Sequence, residues 1–430
     1  MERYESYKDS GAEWIGEIPD GWSLCRLDSF FHERNETVSD KDFAPLSVSM
    51  KGVLPQLEYV AKTNNNDGRK LVRRGDFAIN SRSDRRGACG FSDRDGSVSV
   101  ITTVLEPRRS SALSADYFGA LLSSYGFSNE FYRVGHGIVA DLWSTKWPQM
   151  KLIQIPVPTI ADQIIISAWL GAKTAEIDGY IDDTERSIDL LAEYRRSVIS
   201  EVVTKGLDSD APMRDSGVEW IGEIPEGWHV AKLCFLGDSI LGQMLDQSSA
   251  LGECQSEYLT NRNIRWFSFD TENLGTMAFS DEATVKYQIH DGDVLICEGG
   301  EVGKCAVWHG PTPGFFFQKA IHRFRPYSDK CDPDYIAYQL FQKASTTNFG
   351  EVRKGESTIA HLTGEQLARL RMVVPPLAEQ REIASYLDAK TAEIDSLVAD
   401  KRRLVERLRE YRASLVSEAV TGKFKVPGVA

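Results

Sequence analysis

Apolar residues recur at spacings built from threes and fours along two long stretches of the chain. Leu170, Ile177, Ile181, Ile188, Leu191, Val198 and Val202 form the first series, and Leu387, Ile394, Val398, Val405, Leu408, Leu415 and Ala419 the second. Such an a/d seam predicts one long amphipathic helix per stretch, with Glu185, Arg186, Arg402, Arg403 and Glu406 on the other faces. The proline-bearing segments IPVPTIADQ and VVPPLAEQ mark the two helix starts. About 44 residues rising 1.5 Å each span roughly 66 Å, far beyond the usual helix of about 11 to 12 residues. Shorter runs read as strands in matching context. These are Arg74-Gly75-Asp76-Phe77-Ala78-Ile79 and Asp291-Gly292-Asp293-Val294-Leu295-Ile296, each followed by a polar, glycine-bearing loop, 80–87 and 297–303.

The two sets of elements belong to a tandem duplication. Residues 7–27 return at 213–233 with about 13 of 21 positions identical, and residues 161–204 return at 378–421 with about 22 of 44, including AKTAEID intact. Between them lie two stretches, roughly 28–150 and 234–372, that agree only at scattered points, such as GHGIVADL at 135–142 beside GESTIAHL at 355–362. Two like frames therefore hold two unlike mixed α/β inserts. If the first helix leads away from the first insert, the second must run back, which predicts an antiparallel coiled coil, chain ends that meet, and a pseudo-two-fold axis. Trp14, Ile15 and Trp22, with their copies Trp220, Ile221 and Trp228, read as packing within the frame, a partner surface being the alternative. Tyr194 and Tyr411, in matching YR pairs, carry the same two readings.

Composition adds exclusions. At 430 residues, 42% hydrophobic and 26% charged, the chain is long enough for two domains, and its balance is that of a globular protein. No apolar run reaches the eighteen or so residues of a membrane helix, and the start MERYESYKDSGAEW lacks the apolar core of a signal peptide, so the cytoplasm is the expected location. Seven cysteines without a CxxC pair suit reduced thiols; a zinc site from Cys297, Cys305 and His309 would follow no recurring spacing. The net charge of −13 argues at first against nucleic acid. Yet Arg69, Lys70, Arg73, Arg74, Arg82, Arg85, Arg86 and Arg94 face only Asp76, Asp84 and Asp93 in one short stretch, and phosphate attraction acts within about 8 to 10 Å. A solvated basic face is the plainer reading of the same run.

Catalytic patterns are incomplete. In EGGEVGKC at 298–305, Glu298 stands where a phosphate loop needs its first glycine, and Cys305 where it needs Ser or Thr. Pro333-Asp334 with Asp388-Ala389-Lys390 has a nuclease-like look, but Asp388 lies within the helical repeat and its counterpart is Gly171. Val374-Pro375-Pro376-Leu377 lacks both ends of the Asp/Asn-Pro-Pro-aromatic segment used by adenine methyltransferases, and no GxGxxG follows a strand. The chain is not expected to be an enzyme.

The WIGEIPxGW segments, the GDxxI strands with their loops, YLTNRNIRW at 258–266, STIAHL at 357–362 and PPLAEQ before the long helix together resemble the specificity subunit of type I restriction-modification enzymes. The resemblance covers almost the whole chain; the first half departs from it in GHGIVADLW and in a ProValProThr helix entry. It implies an α+β fold of two target-recognition domains alternating with two long helices in an antiparallel coiled coil. Residues 1–158 and 207–375 would be the recognition domains and 159–206 and 376–430 the helical regions. It implies that each domain reads one half of a split, asymmetric DNA site, and that the helices set the gap and scaffold methyltransferase subunits, two of them, and restriction subunits. S-adenosylmethionine, ATP and Mg would belong to those partners, with no cofactor or metal in this chain. The candidate DNA contacts are Arg69, Lys70, Arg73, Arg74, Asn80, Arg82, Arg85, Arg86 and His136 in the first domain. In the second they are Arg262, Arg265, Glu298, Lys304, Ser357 and His361. Of these, the 69–74 cluster would hold phosphates and the loop tips would meet base edges. A coiled-coil adaptor for two other proteins would keep this architecture and leave the arginines an ordinary surface.

Overall fold

The computed structural model describes residues 2–56, 68–82, 85–108, 113–138, 143–244, 255–311, 315–346, 349 and 361–429. Two compact units emerge, residues 1–185 with 402–430 and residues 186–401. These bounds differ from the domain limits expected from the repeats, because each long helix is shared, half of it packing with either unit. The helices among the described residues are α1 (Ala115–Ser123), α2 (Tyr125–Arg133), α3 (Trp147–Met150), α4 (Ile160–Lys205), α5 (Asp281–Tyr287), α6 (Pro333–Thr346), α7 (Gly364–Ala368) and α8 (Leu377–Val420).

In the first unit the repeated segment folds as a hairpin, Tyr7–Asp9 against Glu17–Pro19, and then as strand Ser23–Arg26, which pairs antiparallel with Gln154–Val157. A four-stranded antiparallel sheet follows in the order Cys89–Phe91, Phe77–Asn80, Thr102–Pro107, Phe31–Glu33. Its second strand starts at a turn that only glycine adopts easily: Gly75 has φ +91°. That turn buries Asp76, 2% exposed, whose carboxylate accepts the Arg73 N–H at 2.8 Å and the Arg34 guanidinium at 2.7 and 3.2 Å. A buried carboxylate is tolerable only with such partners.

The second unit repeats the plan. Its hairpin is Met213–Asp215 with Glu223–Pro225, its frame strand His229–Lys232 pairs with Arg371–Val374, and its sheet runs Cys305–Val307, Val294–Cys297, Ile321–Pro326, Gly237–Leu241. Gly292 has φ +80°, and Asp293, fully buried, accepts from His290 N at 2.7 Å and from Arg325 at 2.6 and 2.7 Å. The inserts differ outside this sheet. Hairpin Leu46–Ser49 with Gly52–Pro55 belongs to the first unit, while α5 and hairpin Ile264–Arg265 with Ser268–Phe269 belong to the second.

The seam behaves as its spacing predicts. Leu170, Ile177 and Ile181 are buried with Val405, Leu415 and Ala419 in the core of the first unit. Val198, Val202 and Leu387 lie in a core of the second. Ile188, Leu191, Val398 and Leu408 are half-buried. The helices are antiparallel: Arg412 pairs with Asp178 and Arg409 with Glu185 in the first unit, and Arg195 with Asp395 in the second. Such exposed pairs set register more than stability.

Each frame segment packs on the end of a long helix. Ile15, Ile18 and Trp22 share a core with Leu415, Ala419, Val420 and Phe424, as Ile221, Ile224 and Trp228 do with Val198, Val202 and Val203. Trp14 and Trp220 are half-buried, whereas Tyr194 and Tyr411 are exposed. The Tyr117 hydroxyl donates to the Val420 carbonyl at 3.0 Å, and the Tyr335 hydroxyl to the Val203 carbonyl at the same distance. These satisfy last-turn carbonyls that a helix cannot satisfy itself. Gln163 and Gln380 match too, accepting from Ser114 N and Asp332 N while donating to Pro158 and Pro375 carbonyls. The chain ends meet as expected: Lys425 N donates to Glu2 O at 2.8 Å, and the Tyr7 hydroxyl to Lys423 O at 3.2 Å.

Candidate nucleic-acid interface

In the first unit the chain leaving strand Phe77–Asn80 is turned sharply by the buried Asn80, whose Oδ1 accepts the Arg82 N–H at 3.0 Å. Ser81 N donates to Ile101 O, and Thr145 N donates to Ser81 O at 2.9 Å, so three segments converge on this loop. His136 and Ser144 exchange two backbone hydrogen bonds of 3.1 Å, and Arg82 bridges to the same Ser144. The result is one edge on which Arg82, Arg85, Arg86 and His136 are all exposed. Among the described residues no carboxylate pairs with Arg82, Arg85 or Arg86, whereas Arg34, Arg73, Arg94 and Arg133 are each paired with one. In an acidic chain that gathers exposed arginines on one edge.

The 69–74 cluster is built differently from the expectation. Arg69 is only 7% exposed; its Nε donates to Ser97 Oγ at 2.8 Å and its Nη2 to Ser97 O at 2.9 Å, so it ties two strands together from within. Burial lowers its pKa, although Asp40 opposes this. Lys70 is held by Glu33 at 3.3 Å. Arg73 and Arg74 are exposed, with Arg73 on Asp95 at 3.1 Å. Arg73 and Arg74 thus face solvent, whereas Arg69 is a strut. Asn80 likewise shapes the loop rather than tipping it.

The equivalent edge of the second unit uses the same backbone plan. Glu298 N donates to Ala320 O as Ser81 N does to Ile101 O, and Leu362 N donates to Glu298 O as Thr145 N does to Ser81 O. This matches Leu362 with Thr145, three residues beyond the pairing read from GHGIVADL and GESTIAHL. Hydrogen bonding sets the correspondence, and the sequence likeness there was too short to do so. Asn261 Nδ2 donates to Gly299 O at 3.4 Å, and His361 lies against Gly299, where an added Cβ would come 3.2 Å from its ring. Buried His322 donates from Nε2 to Leu362 O at 2.7 Å, pinning the segment. Arg262 and His361 are exposed and Glu298 is half-buried. Arg265 is engaged by Asp270 at 2.8 Å and Lys304 by Glu301 at 3.0 Å. Ser357 lies outside the described residues, as do 139–142 and 355–360. Asn261 and exposed Lys319 join this edge. Only folding brings them to it, although Asn261 stood inside the YLTNRNIRW phrase.

The catalytic alternatives find no geometry. The loop 298–304 leads into strand Cys305–Val307, where a phosphate loop would need a helix N-terminus. Asp388 accepts the Tyr338 hydroxyl at 2.7 Å, and Lys390 is paired with Glu393. Burial pushes the Cys297 thiol up to about 12 and holds the Cys305 thiol well above its ordinary value, and both donate to backbone carbonyls, Asn261 O and Ala337 O. Among the described residues no cluster of three or more His, Cys, Asp or Glu side chains is placed to hold a metal ion. No helix among them is long and apolar enough to cross a membrane.

Comparison with known proteins agrees with this reading. Residues 252–407 match the family model Methylase_S, described as the type I restriction modification DNA specificity domain. The chain is 24% identical over 288 residues to the MjaVIII type I restriction enzyme specificity subunit of Methanocaldococcus jannaschii, an alignment covering 64% of this chain and 63% of that protein. It therefore spans somewhat under two thirds of that relative's length. The StySPI specificity subunit of Salmonella potsdam is 21% identical over 437 residues, covering 95% of this chain and 90% of the relative. Among solved structures, the HsdS subunit from Thermoanaerobacter tengcongensis has the same fold, with a TM-score of 0.55 at 18% identity over 94% of this chain and 98% of that one. A chain from work on assembly and conformational transition of the type I R-M system gives 0.67 at the same identity and coverage.

Proposed function

We propose that the chain is a specificity subunit of a type I restriction-modification system, the DNA-reading component of such a complex, without catalysis of its own. Each recognition domain reads one half of a bipartite site through the edge built on its 80–87 or 297–304 loop. The observation that carries this is the trio of exposed arginines, Arg82, Arg85 and Arg86, none paired with a carboxylate among the described residues, at the convergence of three segments in a chain of net charge −13. Arginine suits phosphate oxygens and the O6 and N7 of guanine. The second edge, with Glu298, Asn261, Arg262 and His361, offers acceptors as well as donors. Different chemistry on one scaffold implies unlike half-sites and a non-palindromic target.

The antiparallel coil serves as the ruler between half-sites and, with the frame segments, as the scaffold for two methyltransferase subunits and the restriction subunits. S-adenosylmethionine, ATP and Mg act in those partners. The test is binding of the assembled methyltransferase complex to its DNA over a range of salt. A reader should lose affinity with a log-log slope of about 0.9 per phosphate contact. The triple variant R82A/R85A/R86A should weaken specific binding and flatten that slope. Unchanged affinity and slope would remove this edge from the interface and favour the adaptor.

A further inference from the structure

We propose that Arg86 reads a guanine in the half-site of the first domain, and that Tyr132 positions it; the inference rests on the DNA-reading function above. Arg86 Cζ lies 3.5 Å from the centroid of the Tyr132 ring, within the range of a cation–π stack. Tyr132 in turn lies on Trp143, with ring centroids 5.5 Å apart and planes inclined by 31°. The far end of this stack is fixed by backbone: Trp143 Nε1 donates to Tyr132 O at 3.0 Å, and Thr145 Oγ1 donates to Phe131 O at 2.6 Å. Glycine at 135 permits that closure, since a Cβ there would come 2.5 Å from Thr145 Oγ1 and 2.8 Å from Trp143 Nε1.

Three flat groups thus hold one another, and a Cζ only 3.5 Å from the ring centroid is the spacing of a guanidinium stacked flat on the Tyr132 ring. A face contact fixes the plane of a guanidinium while leaving its N–H edge free, which is the arrangement a bidentate bond to guanine O6 and N7 requires. Among the described residues nothing gives exposed Arg82 and Arg85 comparable support, and they suit phosphates, where orientation matters less. The second domain has no stacked arginine at its equivalent loop among the described residues, since Lys304 is turned onto Glu301. Only one half-site should depend on this device.

The experiment uses the full chain co-expressed with its methyltransferase subunits, a random-sequence DNA library, and sequencing of the methylated sites. R86K keeps the charge but loses the fork. It should reduce discrimination at one G·C pair of one half-site by roughly 10- to 100-fold, as R86A should, with the other half-site unaltered. Y132A should relax the same pair to a smaller extent, and Y132F, which keeps the ring face, should restore it. Uniformly weaker methylation of an unaltered site by R86K, or relaxation at an A·T pair, would overturn the assignment. If Y132A does not fold, as judged by thermal unfolding, R86K against Y132F decides. A wild-type complex that methylates no sequence-specific site would sink the parent reading, and with it this one, before any variant is compared.

Discussion

A circular permutant opened between Asp208 and Ser209, with Ala430 fused directly to Met1, should fold and keep nearly all of its stability. Both long helices are followed by a glycine with positive φ, Gly206 (+80°) and Gly422 (+71°), and the end of each lies in the same unit as one copy of the repeated hairpin. In the second copy the link is residues 207–212, about six residues, with Leu207, Asp208, Ser209 and Asp210 exposed. In the first copy the same junction has no covalent link and is held by contacts: Lys425 N to Glu2 O at 2.8 Å, and Lys423 Nζ to the Ile15 and Glu17 carbonyls at 2.6 and 2.8 Å. Fusing the ends closes that junction with residues 423–430 and 1–6, about 14 residues. Loop closure scales as about 1.5 RT ln n, so exchanging a six-residue link for one of 14 costs roughly 0.7 kcal/mol. The cut also breaks an exposed local turn, in which Asp210 N donates to Asp208 Oδ1 and Ala211 N to Asp208 O. Urea unfolding followed by circular dichroism should therefore place the permutant within about 1 to 2 kcal/mol of the parent. Its methylated site should be unaltered, because no reading edge is touched. An insoluble permutant, or a loss beyond about 4 kcal/mol, would mean that the chain-end contacts do not do for the first copy what the covalent link does for the second.

Two further outcomes test the duplicated design. Tyr117→Phe and Tyr335→Phe should each cost about 1 to 3 kcal/mol, since each leaves a buried last-turn carbonyl, Val420 O or Val203 O, without its donor. By differential scanning calorimetry this is a fall of about 2 to 4 °C per kcal/mol for units of this size, and two silent substitutions would refute the matched anchoring. His322 has its pKa lowered from 6.5 by burial, the hydrogen bond to Leu362 O and the charge of Glu298 opposing it only in part. An unfolded chain would then bind a proton that the folded one refuses, so the contribution of His322 is present above about pH 6.5 and is lost as pH falls below it. His322→Gln should flatten that acid limb in pH-dependent unfolding, and an unaltered limb would show that His322 is protonated in place.

The duplication, the two long helices, their antiparallel pairing and the meeting of the chain ends were legible in the order of residues. Periodicity and repetition are properties of a linear string, and chain order leaves few ways for two such helices to bury one seam. The two matching strands Phe77–Asn80 and Val294–Cys297 were legible too, because each follows a Gly-Asp pair in like context: Gly75 and Gly292 adopt positive φ, and Asp76 and Asp293 go inside. Local signals stop where partners come from elsewhere in the chain. Arg69 and Arg82 look alike in a list of charges. Only the fold puts Ser97 against the first and leaves the second open, since β-pairing across 28 residues decides which face of a strand is inside. The match of Leu362 with Thr145, the convergence of Asn261 and His361 on Gly299, and the Arg86–Tyr132–Trp143 stack are of the same kind. Each depends on contacts between residues far apart in sequence, whose geometry is set by packing and backbone hydrogen bonds and written in no single segment.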